Sequence, residues 1–284
     1  MESTILQEIQ KHQSPINTKI SISDIKKMFP LLESASDKTI DANYLQILEV
    51  INSRKKCEKC TKDGEEVFEC RIPSLQCVAG TIYDTGYMCD KAKKLSQLKE
   101  IARLTMAAGI SKRFMNRMFE TFTVTKDNKK AFETAKRYAE KYPLSNGLLI
   151  TGTCGTGKTH LAVAILHAIL DKGYPGLFCT VPDLLAEIRK SYNGDHDSDK
   201  IKKVMAAKFL VLDDLGAEKT TDWVQEQLYM IINYRYEYEL PTVITSNLDI
   251  GQLSQKVGER TTSRLLEMCY GVKLNGEDYR AKVR

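Results

Sequence analysis

A loop that wraps a phosphate needs a buried strand leading into it and a helix leading out. Residues 147–173 read in that order: the apolar run "GLLITG", the loop that continues it, and "HLAVAILHAILDKG", closed by Gly173. The loop itself, Gly152-Thr153-Cys154-Gly155-Thr156-Gly157-Lys158-Thr159, fits the pattern G-x-x-x-x-G-K-[ST]. Glycines let the backbone turn its N–H groups toward phosphate oxygens without a side-chain clash. A helix starting near Lys158 presents its positive end to the same anion. Lys158 is expected to reach the β- and γ-phosphates, and Thr159 to offer a hydroxyl to Mg2+.

The rest of the chain after residue 121 repeats the alternation. "GLFCTV", "FLVLDDLG" and "PTVITSN" read as strands; "PDLLAEIRKSY", "DKIKKVMAAK" and "TDWVQEQLYMIINYRYEYE" read as helices; "SRLLEMCYGVKL" reads as a helix running into a further strand. Strands alternating with helices of this length predict an α/β fold with a parallel sheet covered on both faces. The strand "FLVLDDLG" ends in two carboxylates, placed by such a sheet beside the phosphate loop. Asp213 is the expected Mg2+ ligand, and Asp214 the group that orients or deprotonates the attacking water.

These segments resemble the AAA+ ATPases, and within them the DnaC/DnaI helicase loaders and their relative IstB. The resemblance is carried by "GISKRFMNRMFETFTV", "LLITGTCGTGKTHLAVAI" and "VLDDLGAEKTTDWVQEQLYMIINYRYEYELPTVITSNL", and covers roughly residues 109–284. It implies a slow, Mg2+-dependent ATPase in which ATP occupies Gly152–Thr159. Asn247 then matches sensor 1, touching the γ-phosphate or the attacking water. Arg264 in "GERTTSR" matches the finger donated to a neighbouring subunit's nucleotide, with Arg260 as second choice. Arg280 in "EDYR" matches the sensor 2 arginine acting in cis. Only residues 248–284 follow Asn247, which implies a truncated lid. The family's partners are a replicative hexameric helicase, single-stranded DNA and further copies of the chain. The polar loop at 193–199 lies where this clade carries an extra helical element used on single-stranded DNA. Its own residues are acidic, so DNA contact there would fall to Lys190, Lys200, Lys202 and Lys203.

Residues 1–90 are read as a helical, partner-binding N-terminal domain, 91–120 as a basic linker and 121–284 as the ATPase. "DANYLQILEVINS" spaces Tyr44, Leu45, Leu48 and Ile51 for one helix face, with Asp37 or Asp41 as an N-cap, and "LKEIARLTMAAGI" is a helix ending at Gly109. The linker's basic residues, Lys91 to Arg117, suit a solvated face, or contact with nucleic acid or an acidic partner. Residues 54–90 read as an irregular module tied at one point. Of eight cysteines, five fall between Cys57 and Cys89. No secretory signal is visible and no apolar run approaches the ~18–20 residues of a membrane span, so a cytoplasmic, reducing setting is expected and thiols there favour metal over disulfides. Cys57-x2-Cys60 is a zinc half-site. Cys70 and Cys77 complete the expected zinc set, with Cys89 as alternative; a metal-free module or an iron–sulfur cluster are the other readings. DnaI-type loaders resemble the chain in carrying a Cys-rich zinc module ahead of the ATPase. Net charge is only +5, too small for a protein that coats DNA. The function so implied is ATP-dependent loading of a replicative helicase onto single-stranded DNA; an IstB-like transposition helper or a non-hydrolysing ATP-bound adaptor are the alternatives.

Overall fold

In the computed structural model, which describes residues 20–58, 70–191 and 198–279, the chain divides into two units, Met1–Ser96 and Gln97–Arg284. The second unit carries the expected parallel sheet. Its strands are β3 (Gly147–Thr151), β4 (Leu177–Thr180), β5 (Leu210–Asp213), β6 (Thr242–Ser246) and β7 (Cys269–Lys273), in spatial order β4-β5-β6-β3-β7. Every pairing is parallel. Side chains alternate between faces, as strand geometry requires. Leu148, Ile150, Val211 and Val243 enter one core with helices α5 (Lys129–Lys141) and α6 (Lys158–Asp171). Leu149, Leu210, Leu212 and Ile244 enter the other. That second core is covered by α7 (Val181–Ser191), α8 (Ser198–Ala206), α9 (Asp222–Glu237), α10 (Ile250–Val257) and α11 (Glu259–Met268).

The strand order decides where a ligand can bind. β6 lies between β3 and β5, so the carboxyl ends of these three strands open side by side, and ligands of open α/β sheets bind at such an edge. The glycine loop, the aspartate pair and Asn247 all follow those ends. Past β6, the described residues contribute two helices, β7 and a short tail.

The basic stretch 91–120 differs from a linker. Helix α4 runs from Asp90 to Ala107, and Gly109 follows at φ +73, a left-handed stop. Phe178 N–H donates to Ala108 O at 2.7 Å, which ties the stop to β4. Phe114 meets Phe178 edge-on, and Phe119 and Phe122 pack on Phe132. Aromatic side chains, silent in a charge count, make residues 104–122 part of the second unit's core.

The first unit packs α1 (Ile22–Met28), α2 (Asp37–Ala42) and α3 (Tyr44–Glu58) with an antiparallel hairpin of β1 (Arg71–Val78) and β2 (Thr81–Met88). Ile25, Phe29, Leu32, Ile40, Ile47, Leu75 and Ile82 form its core. The helical reading of residues 1–53 holds from Ile22 onward; residues 1–19 lie outside the described part. Asp37 and Asp41, expected to cap α3, instead lie inside the separate helix α2, which Ser36 caps: its hydroxyl accepts Thr39 N–H at 3.1 Å. The irregular module expected at 54–90 is corrected, since most of its described residues belong to α3 and the hairpin.

A candidate nucleoside triphosphate site

The loop after β3 is built around glycine. Gly157 has φ +99, and a Cβ there would lie 2.9 Å from the Phe122 ring. Gly155 has φ +75, and a Cβ there would run into the Asp278 carboxylate. Thr156 Oγ1 donates to Thr153 O at 2.9 Å and tightens the turn. Lys158 opens α6 and is buried, with its Nζ donating to Thr153 O at 2.6 Å. The ammonium is thereby held inside the loop, where a phosphate would sit among the N–H groups of the loop and the first helical turn. Gly152, Thr153 and Cys154 complete the loop, with the Cys154 side chain exposed.

Thr159 and Asp213 meet directly: the hydroxyl donates to Oδ2 at 3.1 Å. Thr245, at the end of β6, donates to the other oxygen, Oδ1, at 2.6 Å. Burial pushes the Asp213 carboxyl above the usual carboxylate range, and the two hydroxyl donors pull it back. A hydroxyl and a carboxylate held together are hard oxygen donors of the kind Mg2+ takes beside phosphates, so the residues present fit that ion.

Asp214 takes φ +64, rare for a side chain with a Cβ. Its N–H donates to Thr245 Oγ1 at 2.9 Å, and its Oδ1 accepts from Asn247 Nδ2 at 2.7 Å. Leu215 N–H donates to Thr245 O at 2.8 Å, and Ser246 Oγ donates to Leu215 O at 2.7 Å. Glu218 closes the turn by accepting Gly216 N–H at 3.0 and 3.2 Å; burial raises its carboxyl. Asp213, Asp214, Thr159 and Asn247, selected from distant segments, thus fall into one hydrogen-bonded array.

Arg264 belongs elsewhere. It stands on α11 with its guanidinium 4.8 Å from the Tyr229 ring and 5.7 Å from the Tyr236 ring, both on α9. Its Nη1 reaches Arg260 O at 3.3 Å, and its buried Nε has no hydrogen-bond partner among the described residues. Arg260 is exposed. Arg280 lies outside the described residues, but the tail before it crosses the phosphate loop. Leu274 N–H donates to Thr151 O at 2.7 Å, and Tyr279 N–H to Gly155 O at 3.1 Å.

Sequence reasoning missed Thr245, Ser246, Phe122 and His160. His160 Nε2 lies 2.9 Å from Met118 O and its ring meets Phe122 edge-on, pinning residues 118–122 to the start of α6. A hydroxyl pair closing an otherwise apolar strand was the available signal for Thr245 and Ser246.

The cysteines need a correction. Arg71 pairs with Met88, so Cys70 and Cys89 flank the open end of the hairpin. Cys77 pairs with Ile82 at the turn end, seven residues and roughly 20 Å away at ~3.3 Å per residue, so it cannot share an ion with Cys70. Cys57 lies on α3, one turn past Arg54, whose Nε donates to Pro73 O at 2.8 Å. Cys60 lies outside the described residues, and among those described no group of three or more His, Cys, Asp or Glu could hold a metal ion.

Comparison with known proteins gives the array a context. The model of the IstB-like ATP binding proteins matches residues 91–284. The replicative helicase loader DnaI of Bacillus subtilis (strain 168) is 26% identical over 268 residues, covering 87% of this chain and 86% of that protein. The replicative helicase loader DnaC of Buchnera aphidicola subsp. Baizongia pistaciae (strain Bp) is 27% identical over 190 residues, 65% of this chain and 77% of that protein. A crystal structure of a DnaC helicase loader superposes with TM-score 0.55 at 31% identity, over 58% of this chain and all of that one.

Proposed function

Because the chain belongs to the family of IstB-like ATP binding proteins, we propose that it binds and hydrolyses ATP, and that it does so to load a replicative DNA helicase onto single-stranded DNA. The observation that carries the loader reading is the extent of the likeness. The family model begins at residue 91, whereas the match to a replicative helicase loader takes in 87% of the chain and so reaches into the N-terminal unit. An ATPase core shared with transposition helpers would account for residues 91–284 alone.

The chemistry follows from the array. Loop N–H groups and Lys158 grip the triphosphate. Thr159 and Asp213 would hold Mg2+, which neutralises charge on the phosphates and their leaving group. Asp214, aimed by Asn247, accepts the proton of the water that attacks the γ-phosphorus. Arg264 supplies the trans finger of a side-by-side assembly; its guanidinium, held over the Tyr229 and Tyr236 rings, suits a cation that meets an anion outside its own subunit. Arg280 acts in cis, a role supported by the contact of its neighbour Tyr279 with Gly155. The N-terminal unit grips the helicase, and the chain works in the cytoplasm.

The test is co-purification with a replicative hexameric helicase, followed by phosphate release measured with helicase and single-stranded DNA. Stable association and stimulated release are expected. Association with a transposase and not the helicase would move the chain to the transposition helpers. Tight ATP binding with no release under any of these conditions would make it a nucleotide-held adaptor.

A further inference from the structure

We propose that Thr245 is a positioning residue for both carboxylates at the end of β5, a reading that rests on Asp213 as the metal ligand and Asp214 as the water-directing group. The case starts from a hydroxyl's single proton. With that proton given to Asp213 Oδ1 at 2.6 Å, Oγ1 offers a lone pair to Asp214 N–H at 2.9 Å. The two bonds therefore have one direction: Asp214 N–H to Thr245 to Asp213. The Thr245 carbonyl adds a third, from Leu215 N–H at 2.8 Å. One residue of β6 grips three consecutive residues of the neighbouring strand end.

The grip is needed because of the backbone it holds. Asp214 sits at φ +64, where a residue with a Cβ stays only when its surroundings hold it. Released, it relaxes toward extended or right-handed backbone, and its carboxylate swings off Asn247. Asp213 in turn keeps Oδ2 toward Thr159 only while Oδ1 is held from the other side. Thr245 is 1% exposed, so a lost hydroxyl is not replaced by solvent. The register places Thr245 beside Ile150, inside the sheet, which keeps the side chain away from the nucleotide itself.

The experiment compares Thr245→Val, which keeps the shape and loses the hydroxyl, with Thr245→Ser, which keeps the hydroxyl and loses a methyl. Two quantities are read: the gain in affinity for a fluorescent ATP analogue on adding Mg2+, and kcat and KM for phosphate release. In Thr245→Val, kcat should fall about 10- to 100-fold with KM little changed, the cost of leaving buried polar groups unpaired. The Mg2+-dependent gain in affinity should fall about fivefold or more. Thr245→Ser should restore both to within about threefold of the parent. If the valine variant does not fold, Thr245→Ala replaces it. A valine variant that keeps both turnover and Mg2+ dependence overturns the proposal. So does a serine variant as poor as valine, which would show that the methyl's packing matters and the hydroxyl does not. If the parent protein binds ATP but never releases phosphate, the ATPase reading fails, and Mg2+ dependence alone decides Thr245: a full gain in the valine variant overturns it.

Discussion

Two charged side chains of the second unit are buried for opposite purposes. Arg235 is completely buried on α9, and its partners are oxygens of the backbone and one hydroxyl: Val204, Met205, Ala207 and Pro241 carbonyls at 2.9–3.2 Å and Thr242 Oγ1 at 2.7 Å. Three of these carbonyls close the end of α8, where the helix dipole favours a cation. Burial pushes the guanidinium down to about 10, which leaves it charged at neutral pH. Arg235→Met should therefore cost about 3–5 kcal/mol, because four buried carbonyls lose their guanidinium donor at once. Urea unfolding reads this directly; a loss below about 1 kcal/mol would mean that the carbonyls find water instead. Asp213 is buried where Mg2+ is proposed to bind. Its carboxyl is raised by desolvation, and only the ionised form binds Mg2+. The Mg2+-dependent gain in ATP affinity should thus fade as pH falls through that raised value, at higher pH than for an exposed aspartate. Titrating the gain against pH checks the sign; persistence down to the ordinary carboxylate range would contradict it. At Lys158, alanine should abolish turnover and weaken nucleotide binding, since the loop loses its fixed cation.

Elements with a strong pattern could be read directly from the chain. β3, β5 and β6 are short buried strands that lead into the glycine loop, the aspartate pair and Asn247, and α6 is apolar on nearly every side. The hairpin in the first unit gave no such signal. Its turn is Ala79-Gly80, both at positive φ, where Asn-Gly would have announced it, and Pro73 faces Gly86 inside the ladder. Proline and glycine in a run argue against a strand, and the cysteines suggested loops. Thr245 was hidden for another reason: a hydroxyl at a strand end looks the same whether it faces water or a carboxylate, and only the strand order β5-β6-β3 decides. The hairpin register now separates the cysteines. Cys77→Ser should therefore leave the metal content of protein purified without chelator as it is in the parent. Metal analysis of the two proteins checks this, and a variant whose content differs from its parent's would refute the separation drawn from the register.

At the scale of the whole molecule, the second unit holds the phosphate loop and the aspartate pair at its sheet edge and, on α11, the arginine proposed to act across a subunit boundary. Arg264 lies over Tyr229 and Tyr236 on α9, and Tyr236 is itself fixed by a 2.8 Å bond to Glu267. A stacked guanidinium loses little freedom when it meets an anion, which is what a residue donated across an interface requires. Such a finger stabilises charge as it develops on the transferred phosphoryl group, an effect of ~10³–10⁵ in rate in other phosphate-loop enzymes. Arg264→Ala should bind ATP like the parent, because its own loop is intact, and hydrolyse it poorly. Asp214→Asn should also bind and fail to hydrolyse, with Asp213 still in place for Mg2+. Mixing the two proteins tests the geometry. In a mixed assembly, the intact site of an Arg264→Ala subunit can meet the intact arginine of an Asp214→Asn subunit. Turnover should then rise above that of either variant alone and peak near equal proportions. A mixture that co-assembles and stays inactive would show that Arg264 does not act across the interface, and the exposed Arg260, one helical turn before it, would become the residue to change next.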